Sequence, residues 1–304
     1  MEPHLTLTAQ ELQTLETRQS VIPVDQAVFH LAGSGAIDCL QGVLTNDIVR
    51  PGAESLIWGA VLTPKGMIIS DAWVRRRGAE AWFIVPTEAR ATIQQLFTRS
   101  FPPRLVKVRD VTGTVAVRWL TGGAPEAVAD ADLARPKGPA PFTALLLTEH
   151  PERDDAQLRD AGWHDGAADW ADALRVLEGW PALGREIDEK TLPQEVRFDE
   201  LEGVRYDKGC YTGQETVARL HFRGHANRAL RGLAWRHGEA PVDATVRKDD
   251  REVGSVRTLA KLGEELLGLA LLRRDVMEGD EVLAGGVPAL VVDLPFRDAP
   301  NATA

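Results

Sequence analysis

The chain has 304 residues, 44% hydrophobic and 26% charged, with a formal net charge of −10 at pH 7. That balance is the one of a soluble globular protein with room for two or three cores. It excludes a membrane span, since no apolar run approaches the ~20 residues required, and makes broad nucleic-acid binding unfavourable, because that needs excess cations. Met1-Glu2-Pro3-His4 lacks the basic and then apolar regions of a signal peptide, so cytoplasm is the expected compartment. The two cysteines, Cys39 and Cys210, cannot form a disulfide framework or a four-cysteine metal or cluster site within one chain.

In chain order, Thr8 and Glu11 have capping-box spacing and open a short helix to about Arg18. Residues 27–33 read as a strand. Ser34 then caps a helix, with Cys39 at core spacing beside Ala36 and Val43, and Gly42 as a left-handed stop. Strands are expected over 57–63, 67–77 and 81–86, the last two joined through Gly78. Pro86-Thr87 begins a helix to about Arg99, and strands fit 105–110 and 114–120. Residues 121–141, rich in Gly, Ala and Pro, read as a loop or edge excursion.

A helix over 169–178 places Trp170, Ala173, Leu174 and Leu177 on one face and stops at Gly179 and Pro181. Beyond about residue 228 helix signals fade. Short alternating runs at 229–235, 252–259, 266–272 and 287–294, separated by Gly and Asp turns, suggest a small barrel. The composition shift divides the chain into residues 1–228 and a β region of 229–304.

The densest chemistry lies in Lys208-Gly-Cys-Tyr-Thr-Gly-Gln-Glu215. Thr212 and Glu215 have capping-box spacing, which puts Cys210 close to a helix N-terminus. Lys208, Arg219 and Arg223 add positive charge nearby, and all of these favour the reactive thiolate. A buried small-hydrophobe role is the alternative for a lone cysteine. Arg219, Arg223, Arg228 and Arg231 form a local basic cluster that reads either as a pocket or as a solvated face.

Two other patterns carry less. Gly33-Ser34-Gly35 lacks the third glycine of a dinucleotide fingerprint, and Asp38 at that position would repel a pyrophosphate. A tight turn is the better reading. His221, His225 and Cys210 have metal-site spacing, but Arg219 and Arg223 interleave and oppose a cation.

The run KGCYTGQETVAR, continuing to Asn227-Arg228-Ala229-Leu230, resembles the signature of the YgfZ proteins, folate-binding relatives of the glycine-cleavage T-protein. Leu40-Gln-Gly-Val-Leu-Thr-Asn46-Asp47, Leu62-Thr-Pro-Lys-Gly66 and Pro193-Gln194 extend the resemblance in weaker form and in collinear order. It implies an α+β fold: a T-protein-like folate-binding body of intertwined subdomains followed by a small C-terminal β-barrel. It further implies tetrahydrofolate or a reduced derivative as ligand, and a role in assembly or repair of iron–sulfur proteins, with client or assembly proteins as partners.

Under that resemblance Cys210 is the key thiol. Lys208 and Arg219 activate it, Gln214 and Glu215 fix its loop, and Tyr211, Arg223 and Arg228 line the neighbouring surface. In T-proteins an aspartate after a glycine pair serves the one-carbon chemistry, and Asp71 is the carboxylate in the matching stretch Gly66–Asp71. A pterin-binding run corresponds, with a shifted register, to Arg175–Gly179, where Glu178 is the acid. Trp170 stands near the position of a tryptophan of the YgfZ proteins, with a core role as the alternative. A folate-dependent aminomethyltransferase and a non-catalytic folate-binding scaffold are the other functional readings.

Overall fold

The computed structural model describes residues 1–235 and 240–296. The first five-stranded sheet has the spatial order Glu54–Leu62, Ile68–Arg77, Glu80–Pro86, Gln26–Ala32, Lys107–Asp110. Its strands alternate cleanly between two faces, as period-two side chains must. Phe29, Ile57, Val61, Val74 and Phe83 pack under the helices Ala36–Gln41 and Arg90–Ser100. Val28, Trp58, Ala60, Trp73 and Ile84 point the other way, into the central core.

A second five-stranded sheet has the order His164–Asp165, Ser20–Val24, Ala116–Thr121, Ala144–Thr148, Asp132–Ala134. Ser20–Val24 and Gln26–Ala32 follow one another in sequence yet lie in different sheets, so the two α+β units are intertwined.

The C-terminal region closes into a barrel of six strands: Arg251–Leu262, Thr245–Lys248, Glu281–Ala284, Val287–Val292, Arg228–Trp235 and Glu265–Arg273, the last pairing back to the first. Leu233, Val246, Val256, Leu259 and Leu272 fill its interior. The alternate residues Leu230, Ala260, Leu267, Leu269 and Leu271 face outward into the central core. Leu5–Leu7 pairs in parallel with the barrel strand, Leu5 opposite Ala260 and Leu7 opposite Leu262. The end of the expected β region, residues 297–304, lies outside the described residues.

Several local expectations change. Ser34 does not cap its helix: Gly35 is the N-cap and makes no side-chain cap bond. The Gly35 N–H instead donates to the Leu105 carbonyl at 3.1 Å, and Gly33, at φ +122°, lies so close to that carbonyl that no Cβ fits. The glycines of 33–35 therefore serve strand packing. Gly42 stops the helix in the right-handed region, at φ −80°. Ala144–Thr148 and the helix Pro151–Asp160 were not anticipated, and neither was Ser20–Val24, whose Pro23 argues against a strand.

One buried ionic network ties the body to the barrel. Arg175, on the helix Trp170–Leu177, donates to Asp172 at 2.7 Å, Glu186 at 2.9 Å and the Trp180 carbonyl at 3.1 Å. Glu186 is fully buried and accepts from the hydroxyl of Thr258 on the barrel strand. Removing one partner of such a pair leaves an uncompensated buried charge. Arg175→Met should therefore lower stability by about 3–5 kcal/mol, and Arg175→Met/Glu186→Leu should recover much of it. Urea unfolding of both variants checks this; equal losses would show that packing, not charge, sets the cost.

Candidate functional site

The segments that carry the resemblance meet in space. The loop after Gln41 and the stretch 202–212 are stitched together by buried polar groups. The Thr45 hydroxyl donates to the Gly203 carbonyl at 2.6 Å and accepts from the Ala60 N–H at 2.8 Å. The Asn46 amide donates to the carbonyls of Trp58 and Glu202, both at 2.7 Å. Asp47 accepts from the backbone N–H groups of Val49 and Arg50, and Arg50 pairs with Asp207.

Lys208 is the centre of this junction. It is 9% exposed, and its ammonium donates to the carbonyls of Gln41 (2.8 Å), Leu44 (2.7 Å) and Asn46 (2.7 Å). All three of its donors are thereby committed. Burial pushes its pKa down to about 8. The ammonium thus ties the backbone of residues 41–46 to the segment that leads, two residues on, to Cys210.

Cys210 itself is exposed. The residues around it are anchored: Thr212 N–H donates to the Gly42 carbonyl at 3.1 Å, and Tyr211 is buried with its ring 5.2 Å from the Lys208 ammonium. The helix Gln214–Arg223 starts later than the capping-box spacing requires. Its N-cap is Gly213, at φ +81°, and the Thr212–Glu215 capping box is not formed. The reason is tertiary: a Cβ on Gly213 would lie 2.6 Å from the Thr63 carbonyl and 3.2 Å from Gly66, so only glycine allows the loop 63–66 to press on the helix start. The Gln214 side chain accepts from the Tyr211 N–H at 3.4 Å. Glu215 is exposed in the first helical turn.

The basic cluster divides. Arg228 makes a two-pronged pair with buried Glu195 (2.8 and 2.9 Å), and Arg231 pairs with Asp293 at 3.0 Å. Arg219 and Arg223 are exposed and make no ion pair among the described residues. His221 stacks on Tyr206 at 3.8 Å and faces Asp199. Trp170 begins its helix buried in the central core, 6.1 Å from His164, which is a packing position. Glu178 is the C-cap of that helix, and its carbonyl accepts from Arg197.

Asp71 lies on the strand Ile68–Arg77, two residues before Trp73 and on the same face of the sheet, toward the central core. It is 9% exposed; Trp58 Nε1 donates to Oδ2 at 3.2 Å, while Oδ1 is buried without a partner among the described residues. Burial pushes its pKa up to about 6, against the pull of the Trp58 bond. Around it Trp58 packs on Phe198 (4.1 Å) and Trp180 (4.4 Å), and Trp73 packs on Phe142 (4.8 Å). This aromatic centre was not read from the sequence, where its members look like scattered core residues. The pairing of Ala60 with Asp71 and of Trp58 with Trp73 assembles it.

Two measurements probe these environments. Asp71 binds its proton more tightly folded than unfolded, so its burial costs nothing below pH ~4 and the full penalty, about 3 kcal/mol, above pH ~6. Asp71→Asn should therefore be more stable than the parent at neutral pH by about 1–3 kcal/mol, a gain that fades toward pH ~4; a pH-independent difference would refute the assignment. Separately, iodoacetamide should label exposed Cys210 before Cys39, whose thiol is half-buried and pushed up in pKa by burial and by Asp38. Peptide mapping after partial alkylation reads the order.

No protein-family model matches the chain. It is similar to proteins described as tRNA-modifying protein YgfZ: 28% identical over 281 residues to that of Klebsiella pneumoniae (strain 342), covering 85% of this chain and 86% of the relative. The counterpart from Vibrio vulnificus (strain YJ016) is 29% identical over 216 residues, 67% of this chain and 66% of the relative. Among solved structures, the glycine cleavage system aminomethyltransferase T from Bartonella henselae superposes with a TM-score of 0.79 at 17% identity, covering 97% of this chain and 91% of that one. Among the described residues no helix is long and apolar enough to cross a membrane. The chain is thus similar to the YgfZ proteins over most of its length and shares the fold of the glycine-cleavage T-protein.

Proposed function

We propose that the protein binds a reduced folate and serves as an accessory factor for iron–sulfur proteins, with Cys210 as its working thiol. The observation that carries this reading is the presentation of Cys210: an exposed thiol on a loop anchored by the Lys208 ammonium on three backbone carbonyls, by the buried Tyr211 ring beside that ammonium and by the Thr212 N–H on the Gly42 carbonyl. Rigid support of an exposed cysteine is what a nucleophile or a transient iron ligand needs. The relatives' description as tRNA-modifying proteins makes an enzyme of tRNA modification the first client to test.

The folate assignment is supported by the orphaned oxygen of Asp71 in an aromatic setting. A pterin offers adjacent N–H donors to a carboxylate and a flat face to tryptophans, so the chemistry fits. Because the rings of Trp58, Trp180 and Phe198 are in contact, ligand entry would require one of them to shift. A tetrahydrofolate bound there would supply a nitrogen that carries or accepts a one-carbon unit. Asp71, with its pKa near 6, could hold a proton for such a nitrogen, and this favours aminomethyl transfer as the second reading. We also propose the junction near residues 228–229 as the boundary between folate body and barrel.

Calorimetric titration with 5-formyltetrahydrofolate should show saturable binding that Asp71→Asn weakens at least tenfold. Absence of binding at millimolar ligand would overturn the folate assignment. Cys210→Ala should keep fold and folate affinity while losing support of iron–sulfur enzymes in a deletion strain. Full complementation by Cys210→Ala would remove the thiol from the function.

A further inference from the structure

The last two turns of the helix Gln214–Arg223 carry a surface that neither folate binding nor the Cys210 thiol explains. Phe222 is 67% exposed, an unusual position for a phenylalanine on a polar helix face. It is nevertheless held in place: Tyr206 and His221 stack on each other at 3.8 Å, and the Phe222 ring meets them edge to face at 5.6 Å and 4.8 Å. Arg219 and Arg223 flank it at helical spacings that put all three residues on one side of the helix.

Immediately beyond the helix an open groove of about 850 Å³ runs between its end and the barrel, lined by His225, Asn227, Arg228, Arg273, Arg274 and Asp275. Within it Arg228 is neutralised by Glu195, and Arg273 by Asp275. Arg274 is exposed and, like Arg219 and Arg223, makes no ion pair among the described residues. A chain with net charge −10 therefore keeps, among the described residues, two unpaired guanidinium groups on the helix with the exposed Phe222 ring and a third, Arg274, in the groove past the helix end, where its backbone N–H donates to the Asn227 carbonyl at 2.9 Å.

A merely solvated basic face would account for the arginines but not for the ordered, exposed ring. An acidic protein segment would use the charges but has no need of an aromatic platform standing edge-on to its neighbours. Single-stranded nucleic acid uses both: bases stack on aromatic faces, and phosphates pair with forked guanidinium donors along a groove. We propose that this surface binds a single-stranded nucleic acid segment, with a base on Phe222 and phosphates on Arg219, Arg223 and Arg274. Because the rest of the chain is acidic, binding is local and strongly salt-dependent. Phe222 and Arg274 take no part in the folate or thiol reading, so a test at these two residues is independent of either.

The test is fluorescence anisotropy of a fluorescein-labelled single-stranded RNA dodecamer with the full chain, at salt from about 50 to about 200 mM. A polyglutamate peptide is the comparator. Phe222→Ala should weaken RNA binding at least fivefold, the lower end of what one base–aromatic stack contributes. Arg274→Glu should weaken it to a similar degree and reduce the salt slope by about 0.7, the share of one phosphate contact on a single strand. Both side chains are exposed, and circular dichroism verifies that the variants fold. No binding at the lowest salt would overturn the proposal. So would both variants binding like the parent, or polyglutamate binding as tightly as RNA with Phe222→Ala without effect, which would indicate an acidic protein partner instead.

Discussion

The ammonium of Lys208 holds together the loop of residues 41–46 and the loop of Cys210. Three backbone carbonyls converge there with their oxygens inward, and a compact cation with three donors is the group that satisfies all of them at once. A planar guanidinium would not match that arrangement. The cost is desolvation of a charge, seen in the lowered pKa; the return is three charge-assisted hydrogen bonds linking positions more than 160 residues apart in sequence. Thr45 and Asn46 then complete the same junction, and Cys210 inherits its position from them rather than from any bond of its own.

The second organising feature is the shared central core. Residues from both five-stranded sheets, the helix Trp170–Leu177 and the outer face of the barrel all enter one continuous apolar cluster. The barrel is thus not an appendage on a linker: its outward-facing leucines are as deeply covered as its interior ones. The Arg175–Glu186–Thr258 network runs through the same contact and gives it register, since hydrophobic surfaces alone would tolerate sliding.

How far the sequence could be read depended on whether the decisive contacts were local. Thr8 and Glu11 form the capping box that their spacing suggests, with bonds of 2.8 and 3.2 Å. Thr212 and Glu215 have the same spacing and do not, because Gly213 answers to the loop at 63–66 rather than to its neighbours in sequence. The long alternating barrel strands were legible; Thr245–Lys248 and Glu281–Ala284, four residues each, were too short to show a period. Lys208 looked like a free cation because sequence shows charge and not its partners. The orphaned oxygen of Asp71 was likewise invisible, since it exists only once Trp58 and the surrounding rings are brought around it.

The pairing of Leu5–Leu7 with the barrel strand bears on how the chain reaches this state. His4 and Leu259 are hydrogen-bond partners across 255 positions of sequence, so the first strand has no place to dock until most of the chain has left the ribosome. At typical synthesis rates that is a wait of roughly 10–50 s with apolar Leu5 and Leu7 unburied. Closing so long a loop adds entropy cost only slowly with length but places the pairing late in folding. The strand Leu5–Leu7 therefore fastens only once its barrel partner is in place, and until then its two leucines stay exposed to other apolar surfaces.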